Sequence, residues 1–148
     1  MRASDLAVPF PVVTMDTPAA DAARLLAGRD LPGLIVVDQD QRPLTVLAGT
    51  QVLQMAVPEY CQDDPALARV VDEPTAGLLL GELAGRTVAE CLPERHRELA
   101  VVDPDATPLE IAALMARTGC PLVAVTGADG RMTGAVTLDT LLDRVLGP

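Results

Sequence analysis

The chain has 148 residues, a formal net charge of −10 and a hydrophobic fraction of 49%, the size of one domain with enough apolar side chains to build a core. Aromatic content is 1%: Phe10 and Tyr60 stand alone without any Trp, which excludes a stacking platform for single-stranded nucleic acid. The acidic balance repels phosphate backbones and anionic lipid surfaces, so neither nucleic acid nor membrane is expected as a partner.

Met1-Arg2-Ala3-Ser4-Asp5 lacks the apolar stretch of a secretory signal, and no apolar run approaches the roughly 18 residues of a membrane helix. The expected location is the cytoplasm. All 11 basic residues are arginine, which reads as the mark of a high-GC bacterial genome. Cys61, Cys91 and Cys120 are scattered with no C-x-x-C pair, so the pattern indicates free thiols rather than disulfides or zinc.

In chain order, Ala3 to Leu6 forms a short leader, and Pro11 to Thr14 is the first strand. Asp16 or Thr17 then caps a helix whose inner face carries Ala22, Leu25 and Leu26. Leu34 to Val37 and Leu44 to Leu47 form a strand pair, and Gln51 to Val57 belongs to a closing helix. From Pro58 to Arg86 the pattern changes. Asp64-Pro65 opens one short helix through Val71, and Pro74 opens another that Gly85 terminates, with Leu78, Leu79 and Leu80 read as packing residues ahead of the alternative, a surface exposed for a partner. Thr87 with Glu90 has the spacing of a capping box, which makes Val88 to Cys91 a second leader helix.

Leu99 to Val102 is the next apolar run, followed by a turn at Asp103-Pro104-Asp105. Thr107, Pro108 and Glu110 make a capping box for a helix with Ile111, Leu114 and Met115 inward, ending near Gly119. Pro121 introduces a strand from Leu122 to Val125. Asp129-Gly130 turns the chain into a second strand from Met132 to Val136. A closing helix starts near Leu138 with Leu141, Leu142 and Val145 as its inner face.

The two halves repeat each other. Thr17-Pro18, Ala22-Ala23, Pro32, Val36-Val37, Asp40, Arg42 and Leu53 recur as Thr107-Pro108, Ala112-Ala113, Pro121, Val125, Asp129, Arg131 and Leu142. A period of roughly ninety residues is too long for a solenoid, so it means two copies of one compact unit sharing a core. The expected organisation is a first copy over 1–57, a helical insert over 58–86 and a second copy over 87–148. A cleft between the copies is the place to look for function.

The duplicated strand-helix-strand-strand-helix unit, its leader, and Gly134-Ala135-Val136-Thr137-Leu138 running into Thr140-Leu141-Leu142 resemble the CBS domain pair, or Bateman module. The likeness spans the chain apart from the insert. It implies an α/β fold of α+β type: tandem repeats, each β-α-β-β-α with a leader helix, packed as one pseudo-twofold module. It further implies a non-enzymatic regulatory or sensor module that needs no cofactor. Such a module binds an adenosine-containing ligand (AMP, ADP, ATP or S-adenosylmethionine) in the inter-repeat cleft, forms a homodimer and acts on an effector protein not encoded here. The alternative is a ligand-free dimeric scaffold that engages a partner protein.

In ligand-binding members of this family the last strand runs Gly, two apolar residues, Thr or Ser, two more residues, then Asp. The second copy keeps Gly134 and Thr137 but has Thr140 at the Asp position, with Asp139 one step early, about 100° around a helix. The first copy has Thr45, Ala48 and Gln51 in these places. Thr137 reads equally as a ligand contact or as a helix cap. Arg42 and Arg131, at matched places in the hairpins, read as phosphate contacts or as solvated turn residues. The resemblance makes the strand after each proline a cleft wall, which adds Gly33, Leu34, Cys120, Pro121 and Leu122 to the candidates. Thr107, Arg131 and Gln51 complete the set.

Asp38 with Asp40, Asp63 with Asp64 and Asp103 with Asp105 lack calcium-loop spacing and read as turn residues, so no metal site is expected. His96 lies in the charged stretch Glu94-Arg95-His96-Arg97-Glu98. It is the sole histidine and five residues from Cys91 with no orienting acid, so a Cys-His enzyme is not expected.

Overall fold

The computed structural model describes residues 1–29, 31–70, 74–95 and 98–147, leaving the side chain of Ala76 aside. Helices α1 (Ala3–Leu6), α2 (Ala19–Arg29), α3 (Gly49–Ala56), α4 (Glu59–Asp63), α5 (Thr75–Leu83), α6 (Val88–Cys91), α7 (Pro108–Thr118) and α8 (Leu138–Leu146) alternate with two three-stranded sheets. The first sheet has the order β1 (Val12–Val13), β2 (Gly33–Val37), β3 (Pro43–Ala48). The second has the order β4 (Val101–Val102), β5 (Leu122–Thr126), β6 (Met132–Thr137). The strand-helix-strand-strand-helix order is thus present twice. No helix among the described residues is long and apolar enough to cross a membrane.

In the second sheet β4 runs parallel to β5, with Val101 opposite Ala124, and α7 makes the crossover. β5 and β6 are antiparallel, with Leu122 opposite Thr137 and Val125 opposite Gly134, and a bulge falls between Val125 and Thr126. The turn between them closes with Gly127 N donating to Arg131 O (3.0 Å), and Gly130 takes φ +83°. α7 starts and stops where predicted, but only the threonine half of its capping box forms, with no return bond from the Glu110 side chain to Thr107 N among the described residues. Thr107 Oγ1 accepts Glu110 N (3.2 Å), Pro108 occupies the first turn, and Gly119 ends the helix in the left-handed region at φ +66°.

The packing does not follow the copies. One compact unit comprises Met1–Val12, Ile35–Val46 and Arg97–Pro148; the other comprises Val13–Leu34 and Leu47–His96. In the first unit, Ile111, Met115, Val123, Val125, Val136 and Leu141 form one apolar cluster with Ala3 and Leu6 of α1. Ile35, Val37 and Val46 pack with Leu99, Cys120, Leu122 and Ala135 in another. Each side chain of this size taken fully out of water stabilises the fold by about 1.5–3 kcal/mol.

The leaders explain this partition. α1 is held by Ala3 N to Ala106 O (2.8 Å), Ser4 N to Pro104 O (3.0 Å) and an antiparallel bridge between Val8 and Ala135. In the other unit, α6 is held by Val88 N to Thr17 O (2.9 Å) and Ala89 N to Met15 O (3.1 Å), while Ala19 N reaches Arg86 O (2.9 Å). Each leader therefore completes the compact unit that holds the other copy's first helix.

Several expectations are corrected here. The Thr87–Glu90 capping box does not form, because Thr87 makes no side-chain cap bond and Glu90 pairs with Arg86 at 3.3 Å. Thr17 does not cap α2: its hydroxyl accepts Thr14 N (3.0 Å) in the preceding turn. At Asp64-Pro65 the chain forms a 3-10 helix, Pro65–Val70, with Asp64 O accepting Leu67 N and Asp64 Oδ1 accepting Ala66 N; Val71 lies outside the described residues. α4, absent from the sequence reading, precedes it. On α8 only Leu141 of the expected inner face is buried, whereas Leu142 and Val145 are half-exposed at 45% and 50%.

Candidate functional site

The strand-to-helix junction at β6–α8 gathers most of the sequence candidates. β6 delivers Thr137 to the N-cap of α8, where Thr137 Oγ1 accepts Thr140 N (3.1 Å) and donates to Thr140 Oγ1 (3.0 Å). The cap role of Thr137 is therefore realised. It leaves the hydroxyl hydrogen of Thr140 without an acceptor among the described residues. Leu138 N donates to Pro121 O (2.9 Å), which pins the start of α8 to the residue before β5.

A groove and a polar helix face border this junction. The apolar groove, of about 580 Å³ between α7 and α8, is lined by Met115, Ala116, Cys120, Pro121, Leu138 and Leu142 among others. The polar face is a nearly flat stretch of α8 that carries Asp139, Thr140, Leu142 and Asp143. Thus Cys120, Pro121, Asp139 and Thr140 come together around one helix start. Asp139 and Asp143 make its outer edge acidic.

The other candidates lie elsewhere. Leu122 is fully buried in the apolar core, so its side chain is no cleft wall. Thr107 sits at the opposite end of the 11-residue α7, about 18 Å along its axis from Gly119. Arg131 lies at the hairpin tip, 3.8 Å from Asp129 through Nε. Arg42 covers Gly130, where a Cβ would stand 3.4 Å from its Nε, and Met132 N donates to Gln41 O (2.9 Å), so the two hairpin turns meet. Sequence reading missed this junction, whose only signal is the matched spacing of the two arginines.

The first copy builds its corresponding junction, Ala48 into α3, without a hydroxyl. Gln51 Oε1 accepts Ala48 N (2.8 Å), so the side chain at the family's Asp position is spent on the backbone. Gly33 and Leu34 are buried within β2. The Leu34 side chain is therefore not offered to a ligand, and Gly33 has none.

The acidic pairs serve turns. Asp38 Oδ1 accepts Asp40 N (2.8 Å) and Arg42 N (3.0 Å), and Asp103 Oδ1 accepts Asp105 N (2.8 Å). Among the described residues no three His, Cys, Asp or Glu converge on one point. Cys61, Cys91 and Cys120 are all buried, and His96 lies outside the described residues.

Burial raises the Cys91 thiol above its ordinary range, Glu90 adds to the rise and Arg86 offsets part of it. A raised thiol favours the fold below the ordinary thiol range, and this contribution is lost as pH climbs through the raised value. The urea midpoint should accordingly fall on alkalinisation through that range, and Cys91→Ala should flatten the fall. An unchanged slope in the variant would contradict this assignment.

A family model described as CBS domain matches residues 3–47 and 92–147. A CBS domain-containing protein of unknown function from Kribbella flavida DSM 17836 is 49% identical, with each chain covering 99% of the other and a TM-score of 0.89. CBSX2 in complex with AMP, a protein of Arabidopsis thaliana, shares 20% identity at a TM-score of 0.68, over 98% of this chain and 96% of that one. The CBS domain of a bacterial CNNM/CorC family Mg2+ transporter in complex with ATP shares 14% at 0.70, over 99% and 88%. A search of curated proteins finds no match. The repeated element order, the two matched segments and the near-full-length likeness at 49% identity together place the chain in the CBS domain family, as a CBS pair.

Proposed function

We propose that this CBS pair is a non-enzymatic regulatory module that binds an adenosine-containing ligand at the β6–α8 junction of its second copy. The observation that carries the reading is the Thr137–Thr140 hydroxyl pair, which caps α8 and still leaves one hydroxyl hydrogen to donate at the polar face of α8. The first copy lacks that group, so one ligand per chain is expected. AMP in CBSX2 and ATP in the CorC-family domain support the adenosine class. With Asp139 and Asp143 at the edge and a net charge of −10, AMP or cationic S-adenosylmethionine suits the site better than ATP.

The test is thermal unfolding with AMP, ADP, ATP or S-adenosylmethionine at millimolar concentration. A ligand present at a hundred times its Kd stabilises the fold by about 2.7 kcal/mol, and the absence of a shift with all four would refute the reading. A second reading, a dimeric scaffold that engages a partner protein, is favoured by the exposed apolar residues of α8, Leu138, Leu142, Val145 and Leu146. On either reading the chain works in the cytoplasm as a homodimer.

A further inference from the structure

Helix α5, in the insert, is weakly specified by its own sequence. It has only nine residues, below the length at which helices persist alone. Gly77 and Gly81 lie in its interior, and Pro74 at the N-cap supplies no side-chain bond. Glu82 stands in the last turn, at the negative end of the helix dipole. α7, with its threonine cap, first-turn proline and left-handed terminal glycine, shows what α5 lacks.

α5 stays in place by packing across α2 and α3. That packing is incomplete, because a cavity of about 200 Å³ remains beneath it, lined by Val57, Cys61, Ala68, Leu78 and Leu79 among others. Leu83 is its one buried large side chain, at 3% exposure, while Leu80 is exposed. Cys61, on α4 at 6% exposure, faces the same cavity and reports whether α5 is in place.

We propose that α5 is a lid that unfolds locally, baring the helical face of α2 and α3 and the Cys61 thiol while the rest of the chain stays folded. The proposal is independent of ligand binding. The second copy's groove between α7 and α8 has no such helix over it within its own compact unit, so within the chain the two copies would differ in access: one helical face uncovered, the other gated.

The experiment labels the native full-length chain with a thiol-specific reagent and follows each cysteine by mass spectrometry. Cys61 is expected to react at least about tenfold faster than Cys120, which is 1% exposed in a packed core. Gly77→Ala and Gly81→Ala, where an added Cβ meets nothing within 4 Å, should each slow Cys61 about fivefold and leave Cys120 unchanged. Hydrogen exchange of the α5 amides should slow by the same factor. The lid is disproved if Cys61 keeps pace with Cys120, or if its labelling and the α5 exchange ignore both substitutions.

Discussion

Thr137→Val should abolish the stabilisation that an adenosine ligand confers, about 2.7 kcal/mol at a hundred times its Kd. For a chain of this size that is a loss of roughly 5–10 °C in ligand-dependent Tm. Valine keeps the shape of threonine but can neither accept the Thr140 N–H nor orient the Thr140 hydroxyl. The unliganded protein loses its α8 cap as well, at about 1 kcal/mol. Thr137→Ser, which restores the oxygen, should recover both effects. Ala48→Val, at the matched place in the first copy, should leave the ligand shift intact. A Thr137→Val protein with the full ligand shift would move the site away from this junction.

Gly134→Val should destabilise the fold by about 1–3 kcal/mol, measured by urea unfolding. A Cβ at position 134 would stand 3.1 Å from Val8 O and 3.2 Å from Ala7 Cβ, so the chain after α1 must move away. The bridge at risk has two bonds, Val8 N to Ala135 O (2.9 Å) and Ala135 N to Val8 O (3.0 Å). Gly134→Ala should cost less, because it needs a shift of only a few tenths of an ångström. Limited proteolysis should find the leader more readily cut in the valine variant. In the sequence this glycine is part of a ligand motif; in the fold it is the place where the leader lies down. A neutral valine substitution would refute that role.

The elements and their order were legible because local signals specify them: Thr107 and Pro108 start α7, Gly119 stops it, and Gly130 turns the hairpin. The leader exchange was not legible. Val8 and Ala135 pair across the length of the chain, and nothing local at either residue names its partner. The Thr87–Glu90 spacing misled for a related reason: Glu90 N, which a capping side chain would have served, donates to the Thr87 backbone oxygen (3.1 Å), while the tertiary carbonyls of Thr17 and Met15 hold Val88 N and Ala89 N in place. Leu142 and Val145 show the limit of periodicity, which identifies apolar residues but not what covers them. At the site, the Thr137 cap followed from residue type and position. The use of Gln51 on the Ala48 backbone required knowing where α3 begins.

The leader exchange also orders events during synthesis. Arg2 Nη1 donates to Asp105 O, 103 positions onward, and Ala3 N to Ala106 O, so the leader must wait during synthesis for that whole intervening stretch before its partners exist. Neither copy is a separately heritable folding unit: a fragment cut at the insert carries one leader for the wrong half. Gene duplication here produced two sequences that must be finished together, and mixing halves from different relatives should succeed only when each leader travels with the half it serves.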